Sequence, residues 1–278
     1  MKKDITNALI CPHCASPLTR EGNSILCEHR HTYDIAKSGY VNLHNTSSKK
    51  QSGDSKEMAA SRTAFLDTGA YSRFMEEIRS LAGAGDVLVD AGCGEGYYTV
   101  ALSENFEHSY GFDLSRDSVM TAAKRAKASG AGERCFFGVA SVYSIPIANG
   151  AADCVTNIFA PCVEEEYCRM LKDGGILIVA CAGTHHLEGL KAALYEQIRE
   201  NTDRADLPKS MKLIEKRNVS YNIVLDSPEM IRNLYMMTPY CYKTSIDAQK
   251  KLLSLDSLET VVDFDIYVYS RKESLCEF

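Results

Sequence analysis

From Val87 onward, short apolar runs alternate with segments whose apolar residues recur every three or four positions. β-Branched apolar runs predict strands, and the longer period predicts helices. The predicted strands are Val87–Val89, Tyr110–Asp113, Cys135–Val139, Cys154–Phe159 and Ile176–Ala182. The predicted helices between them are Tyr97–Leu102, Ser118–Ala128 and Glu164–Leu171. This alternation predicts βαβ units and an α/β fold with a parallel sheet.

The regions on either side show different patterns of apolar and polar residues. Asp54 and Glu57 form a capping-box pattern that predicts a helix start, and Ser72 begins a second amphipathic helix. The C-terminal elements predicted are a helix at His186–Glu200, strands at Val219–Leu225 and Thr260–Tyr269, and helices at Pro228–Met237 and Ile246–Leu253. The first 45 residues lack a long helical period, and a polar stretch follows. We therefore predict a small N-terminal module at 1–45, a linker at 46–57 and the main domain at 58–278.

Composition narrows the class of protein. The chain has 278 residues, 45% of them hydrophobic and 24% charged, which is ordinary for a globular protein. The longest apolar stretch, Ile176–Ala182, is too short to span a membrane, and Met1–Asn7 lacks the apolar core of a signal peptide. We expect a cytoplasmic protein with no membrane partner. Although the net charge is −6, residues 1–50 carry seven Lys or Arg against four Asp or Glu, which indicates a polyanionic partner at that end.

The N-terminal region contains a pattern typical of a zinc site. Eleven cysteines at irregular spacing argue against a disulfide framework. Cys11, Cys14, Cys27 and His31 form C-x2-C-x12-C-x3-H, and two such pairs on tight turns supply the four ligands that tetrahedral zinc requires. His29 is a less common alternative to His31, and scattered free thiols are the alternative to a metal site. The other cysteines are interpreted as core thiols.

A glycine-rich loop follows the first predicted strand. Asp90 precedes Gly92, Gly94 and Gly96 in a D-x-G-x-G-x-G pattern between a strand and a helix. This resembles the cofactor loop of class I S-adenosylmethionine methyltransferases, whereas a dinucleotide oxidoreductase would show G-x-G-x-x-G. Asp113 ends the next strand, where a carboxylate can accept both ribose hydroxyls. The predicted cofactor-binding residues at this edge are Asp90, Gly92, Gly94, Glu95, Gly96 and Asp113, with Ala140 and Ser141 near the adenine.

The substrate side is less defined. Asn157, Phe159 and Pro161 follow the fourth strand, where this type of fold places the reacting base. Phe159 could stack on a base or pack in the core, and Asn157 could hydrogen-bond a base but is not a general base at neutral pH. The sequence identifies no convincing general base. The acidic run Glu164–Glu166 is interpreted as a solvated helix start.

Taken together, these motifs resemble the RlmA family of 23S rRNA (guanine-N1)-methyltransferases over essentially the whole chain. The resemblance rests on the zinc pattern, His31–Leu43, Gly53–Ser55, Arg62–Asp67, Gly69–Tyr71, Asp90–Tyr98, Ile158–Cys162, His186–Leu187 and Met237–Pro239. It implies a class I, Rossmann-like sheet that is parallel with a C-terminal antiparallel strand. It also implies N1 methylation of a guanine in a 23S rRNA hairpin, with S-adenosylmethionine and Zn²⁺ as cofactors.

The resemblance also assigns roles to single residues, and those of Tyr71 and His186 come from it alone. It places zinc on Cys11, Cys14, Cys27 and His31, and cofactor contacts on Tyr71, Gly94, Glu95 and His186. It also implies a homodimer, and one branch of the family is tied to resistance against macrolides such as tylosin. The alternatives are a small-molecule methyltransferase with an accessory zinc module, and a non-catalytic RNA-binding protein that keeps the cofactor fold.

Overall fold

The computed structural model describes residues 4–44, 55–197 and 207–272. The strands in chain order are β1 Thr19–Glu21, β2 Ser24–Leu26, β3 Thr32–Asp34, β4 Val41–Asn42, β5 Gly85–Ala91, β6 Phe106–Asp113, β7 Cys135–Val139, β8 Ala152–Ile158, β9 Leu171–Ala182, β10 Lys212–Leu225 and β11 Leu258–Ser270. The helices are α1 Lys56–Leu66, α2 Ser72–Ala82, α3 Tyr97–Leu102, α4 Arg116–Ala128, α5 Glu164–Met170, α6 Glu188–Leu194, α7 Pro228–Met236 and α8 Ile246–Leu253. Short 3₁₀ helices follow α3 and α7.

The large sheet has the strand order β10-β11-β9-β8-β5-β6-β7-β4. Strands β5 to β9 pair in parallel, whereas β11 is antiparallel to both β9 and β10. The predicted parallel sheet with an antiparallel C-terminal strand is therefore confirmed. None of the described helices is long and apolar enough to cross a membrane.

Strand β5 lies at the centre of this sheet and organises the edge that matters for function. From β5 the chain continues to β6 on one side, while β8 pairs with β5 on the other side. A crevice forms at the carboxyl ends of parallel strands where the strand order reverses in this way. The segments that leave β5, β6, β7 and β8 therefore converge at one edge of the sheet.

The N-terminal segment is joined to the large sheet. Strands β1–β3 form a small antiparallel sheet, but β4 pairs in parallel with β7 at the outer edge of the large sheet. Leu9, Leu18 and Ile25 are buried in the same core cluster as residues of β5 and β8. The Arg116 Nε atom, at the start of α4, donates a 2.6 Å hydrogen bond to the hydroxyl oxygen of Tyr40. The N-terminal segment and the main sheet thus share one core.

Several element bounds differ from those predicted. The observed N-cap of α1 is Ser55, whose hydroxyl accepts from the Met58 amide, while Asp54 lies outside the described residues. Helix α1 also includes two residues that the sequence assigned to the linker, and the proposed division into units remains a prediction. Helix α6 is shorter than predicted because Leu187 has a left-handed φ of 58° and Tyr195 is extended.

Strands β10 and β9 begin earlier in the chain than predicted, each for its own reason. Strand β10 is an edge strand whose first half exposes the apolar Leu213 and Ile214 together with Lys212 and Lys216, so its apolar alternation is obscured there. Strand β9 begins at Leu171, and Gly174, which has a φ of 77°, lies within it instead of in a turn that precedes it. A register shift beside Ala152 and Cys154 accommodates the irregularity.

Candidate functional site

The three cysteines and the histidine predicted as metal ligands form one cluster. Their ligand atoms all lie within 4.8 Å of one another. The Cys14 and Cys27 sulfurs are 3.7 Å apart, and His31 Nδ1 lies 3.4 Å from the sulfurs of both Cys11 and Cys27. Zinc at about 2.3 Å from sulfur and about 2.0 Å from nitrogen gives tetrahedral edges of about 3.8 Å and about 3.5 Å. The arrangement therefore fits a tetrahedral Cys3His zinc site.

Local backbone turns create this arrangement. Each Cys-bearing turn contains a residue in the left-handed region, Ala15 with φ 58° and Arg30 with φ 62°. In the first turn the Ala15 amide bonds to the Cys11 carbonyl, and in the second the Arg30 amide bonds to the Cys27 carbonyl. His29 is not in the cluster, since its side chain is 61% exposed and lies 3.8 Å from Glu28.

The surroundings of the cluster act in opposite directions on two of its thiols. A backbone hydrogen bond from Ser16 lowers the pKa of Cys14 to about 6, whereas burial raises the pKa of Cys27. The Tyr33 hydroxyl lies 3.1 Å from the Cys11 sulfur and can donate to it. Outer hydrogen bonds of this kind orient metal ligands, and a bound cation would deprotonate the remaining thiols.

The glycine-rich loop lies at the carboxyl end of β5. The Gly92 and Cys93 amides donate to the Phe112 carbonyl of β6, and the Gly94 amide donates to Asp113 Oδ2 at 3.1 Å. All three loop glycines have φ between 53° and 84°. A Cβ on Gly92 would lie 2.4 Å from the Ala160 Cβ, so only glycine fits there.

The two strand-end aspartates face in different directions. Asp90 is 1% exposed, and its carboxylate accepts hydrogen bonds from the Thr99 and Thr156 hydroxyls. Burial raises its pKa to about 6. Asp90 was predicted with the cofactor-binding residues, but its carboxylate points into the fold, where it joins β5 to α3 and β8. Asp113 is partly exposed beside the loop and also accepts from the Ser115 amide at 2.7 Å.

The adenine side was predicted at the end of β7. Ala140 is buried there, and its amide donates to the Asp113 carbonyl at 3.1 Å. Ser141 follows and accepts a hydrogen bond from the Tyr143 amide. The Tyr143 side chain is 70% exposed beside this turn. The structure therefore brings Ala140 and Ser141 next to Asp113, as the strand pattern predicts.

An aromatic cluster fills the other side of the loop. Phe264 of β11 is its centre, with ring centroids 5.1 Å from Tyr71, 4.3 Å from Phe74, 4.8 Å from Phe159 and 4.4 Å from His186. The cluster joins α2, β11 and the segments after β8 and β9. It brings Tyr71 and His186, which the resemblance singled out, into one group with the substrate-side residue Phe159.

His186 is held in one protonation state. Its Nδ1 accepts a hydrogen bond from the Asp263 amide at 3.2 Å, which places the ring proton on Nε2. Burial lowers its pKa to about 3. His186 is therefore neutral with its proton on Nε2, and it lies in a turn before α6 instead of within a helix.

The substrate-side residues divide into one exposed group and one buried group. Phe159 has a left-handed φ of 60° and is 47% exposed, while its ring stacks on Phe74 at 5.6 Å. Asn157 is buried, and its side-chain amide donates to the Pro161 carbonyl and to the Tyr167 hydroxyl. In this structure the Asn157 amide nitrogen holds the 158–161 loop, and a hydrogen bond from Asn157 to a base stays a prediction. Pro161 is exposed at the end of that loop.

Comparisons with known proteins agree with this geometry. Residues 9–52 match the zinc-ribbon family described as "RlmA, N-terminal", and residues 88–175 match the family described as "Methyltransferase domain". The chain is 38% identical over 203 residues to the 23S rRNA (guanine(748)-N(1))-methyltransferase of Streptomyces fradiae, covering 70% of each protein. The chain belongs to the RlmA family of rRNA (guanine-N1)-methyltransferases. It is therefore an S-adenosylmethionine-dependent methyltransferase with a zinc ribbon.

Other relatives lie at greater distance. YxjB of Bacillus subtilis (strain 168), to which a 23S rRNA (guanine-N1) activity is ascribed, is 30% identical over 96% of this chain and 99% of its own length. Among solved structures, Bacillus subtilis YcgJ aligns at a TM-score of 0.48 and 17% identity, covering 71% of this chain and 98% of its own. Phosphoethanolamine N-methyltransferase 2 of Haemonchus contortus aligns at a TM-score of 0.49 and 12% identity, covering 92% of this chain and 71% of its own.

Sequence reasoning missed some residues of this RlmA-family site. Thr99 and Thr156 orient Asp90, and Phe264 is the centre of the aromatic cluster, but none of them lies in a recognisable spacing. Phe264 reaches the site because β11 inserts next to β9 in the sheet. Arg62 belongs to the resemblance motif, yet its position beside Gly94 depends on where α1 packs.

Proposed function

We propose that this protein transfers the methyl group of S-adenosylmethionine to N1 of a guanine in a 23S rRNA hairpin. The observation that carries the proposal is the 38% identity to the Streptomyces fradiae guanine-N1 enzyme. The four-ligand cluster and the glycine loop beside Asp113 support it, because such an enzyme needs a metal site in its zinc ribbon and a loop that can approach the cofactor. The same relative favours the guanine equivalent to position 748.

The cofactor would lie along the carboxyl edge of the sheet. Asp113 is proposed to accept the ribose hydroxyls, with the adenine beside Ala140 and Ser141. The backbone of the Gly92–Gly96 loop would approach the cofactor closely, because its glycines carry no Cβ on that side. Tyr71 and His186 are proposed to line the methionine half from the aromatic cluster. Asp90 would act on the cofactor only through the loop that it positions.

Phe159 is proposed to receive the flipped guanine. A left-handed phenylalanine costs about 1–2 kcal/mol, so the packing against Phe74 and Phe264 must hold it in place. An aromatic ring held half-exposed at the edge of an active site can stack on an extruded base. Asn157 fixes the loop that carries Phe159, and Ala160 packs against Gly92. The base and the cofactor would thus be positioned by one set of contacts.

The chemistry requires both positioning and the removal of a proton. Guanine N1 carries a proton near neutral pH, so its lone pair becomes available only as that proton passes to a base or to solvent. When bound, S-adenosylmethionine supplies an electrophilic methyl group. The chain's contribution is to hold N1 in line with that methyl and to exclude water, and orientation of this kind can account for much of a rate enhancement.

The zinc ribbon is proposed to contact the RNA. The excess of Lys and Arg in residues 1–50 would displace counterions from phosphates, so affinity should fall as salt rises. A hairpin should be preferred over a plain duplex, because loops expose base edges that the A-form groove hides.

We further propose that the protein is a cytoplasmic homodimer, which light scattering can test. We also propose that it protects against a macrolide such as tylosin, which expression in a sensitive strain can test.

Primer extension tests the proposed reaction. Enzyme, S-adenosylmethionine and 23S rRNA should produce a reverse-transcriptase stop one nucleotide before the modified guanine, because an N1 methyl removes a Watson–Crick donor. Asp113→Ala should strongly weaken the stop at cofactor concentrations that just saturate the wild type, and a higher concentration should partly restore it. Labelled methyl on N2, N7 or a ribose would contradict the N1 assignment, and label on small metabolites alone would favour the small-molecule alternative.

A further inference from the structure

Helix α1 lies across the carboxyl edge of the sheet. It packs against α4, which follows β6, and against α7, which precedes α8 and contacts β10. Its buried face includes Met58, Phe65 and Leu66. Arg62 lies on a partly exposed part of the helix, and its Nη1 atom is 3.7 Å from the position that a Cβ on Gly94 would occupy. The guanidinium therefore borders the space that the glycine loop leaves open.

The carboxyl group of Glu95 interacts electrostatically with the Arg62 guanidinium. Its side chain is 2% exposed, and burial raises its pKa. The positive charge of Arg62 is the largest influence that opposes this effect of burial, ahead of the charge of Arg125. A buried carboxylate is stabilised when an opposite charge lies nearby. The opposite charges of Glu95 and Arg62 therefore attract each other next to the loop.

The neighbouring cation is held differently. Arg125 Nη1 donates to Asp67 at 2.7 Å, its Nε donates to the Glu95 carbonyl at 3.3 Å, and its guanidinium lies over the Tyr97 ring. These contacts keep Arg125 on the outer side of the loop. The Arg62 guanidinium lies next to the position that a side chain on Gly94 would occupy.

We propose that Arg62 binds the α-carboxylate of S-adenosylmethionine and that Glu95 acts as a positioning residue for Arg62. The inference rests on the proposed function only in that S-adenosylmethionine is the cofactor. If Asp113 holds the ribose, the zwitterionic methionine end would lie over the glycine loop, next to Arg62. Its carboxylate then needs a cation, and a guanidinium can bind both of its oxygens.

A ligand that lacks the carboxylate tests this assignment without RNA. Calorimetry would compare S-adenosylmethionine with decarboxylated S-adenosylmethionine on the wild type, Arg62→Gln and Arg125→Gln, each checked for folding by thermal melting. The wild type should prefer the complete cofactor by about 10- to 100-fold, the scale of a charge-assisted hydrogen bond. Arg62→Gln should lose that preference and leave affinity for the decarboxylated ligand nearly unchanged. Arg125→Gln should keep the preference.

Two further variants keep the test decisive. Arg62→Lys should retain part of the preference, and it serves if Arg62→Gln does not fold. Glu95→Gln should reduce the preference without removing it, because it acts through Arg62. Equal losses for both ligands in Arg62→Gln, or an unchanged preference, would overturn the assignment. Because no RNA enters the binding assay, failure of the rRNA assignment leaves this result intact.

Discussion

The zinc cluster and the cofactor edge obtain their geometry in different ways. In the zinc cluster, the functional atoms are the ends of four side chains, and they meet because two tight turns face each other. At the cofactor edge, the shape comes from backbone at Gly92–Gly96 and from side chains that point away from the opening, such as Asp90 and Asn157.

This difference decides how directly a sequence pattern identifies the functional atoms. Metal-ligand spacing identifies the functional atoms themselves, because a sulfur or nitrogen in such a pattern is the ligand. A glycine motif identifies only a backbone path, and packing then decides which neighbouring carboxylates face the ligand. Asp90 and Asp113 both end a β-strand in the sequence, yet only Asp113 lies beside the opening.

The largest effect is expected from loss of the metal. Cys27→Ser should remove zinc and unfold residues 4–44, because binding contributes about 10–16 kcal/mol to the folding of zinc-finger peptides. Since Leu9 and Ile25 share a core with the main sheet, the melting temperature of the whole protein should fall as well. Metal analysis and hydrogen exchange measure both effects. Cys241→Ser, far from the cluster in sequence, is the matched control, and full zinc occupancy in Cys27→Ser would contradict the ligand assignment.

Two glycine substitutions separate folding from binding within the loop. Gly92→Ala should lower the free energy of unfolding by about 2–4 kcal/mol, because its Cβ would meet Ala160 and its φ is left-handed. Gly94→Ala meets only the Arg62 side chain at 3.7 Å, so it should cost about 1 kcal/mol of stability but weaken cofactor binding strongly. Denaturant melts and calorimetry measure the two quantities. Equal stability losses would mean that the two glycines are equivalent.

Burial of His186 predicts a dependence of stability on pH. Its folded pKa of about 3 lies below the usual value of 6.5, so the unfolded state binds the proton first as the pH falls. The stabilisation is therefore complete above about pH 6.5 and is lost by about 1.4 kcal/mol per pH unit below it. Subtracting the profile of His186→Gln from that of the wild type isolates this contribution. A difference that does not change between pH 7 and pH 5 would contradict it.

The last prediction compares the two aspartates. Asp113→Ala should weaken S-adenosylmethionine binding by about 1.5–3 kcal/mol, the scale of a charge-assisted hydrogen bond. Asp113→Asn should lose less, because one oxygen still accepts from the Gly94 amide. Asp90→Asn should change mainly the free energy of unfolding, since its partners are Thr99 and Thr156. A larger loss of affinity in Asp90→Asn than in Asp113→Asn would reverse their roles.

The sequence predicted the strands β5 to β9 because each is a short apolar run bounded by turns, and it predicted the metal ligands because their spacing is local. It did not predict the pairing of β4 with β7 or the passage of α1 over the glycine loop. Those contacts depend on packing between distant segments, which leaves no periodic signal. The role of Asn157 was also out of reach, since the same amide could face a base or the Pro161 carbonyl until the loop conformation is known.

The pairing of β4 with β7 has a consequence for the order of events during synthesis. Val41 pairs with Gly138, so its partner leaves the ribosome roughly 100 residues later, which takes about 5–20 s at typical elongation rates. The four metal ligands all precede Val41 and are complete well before that time. The small sheet would therefore bind zinc before the main sheet has formed. Strand β4 of the zinc-bound segment would pair with β7 only after β7 has left the ribosome.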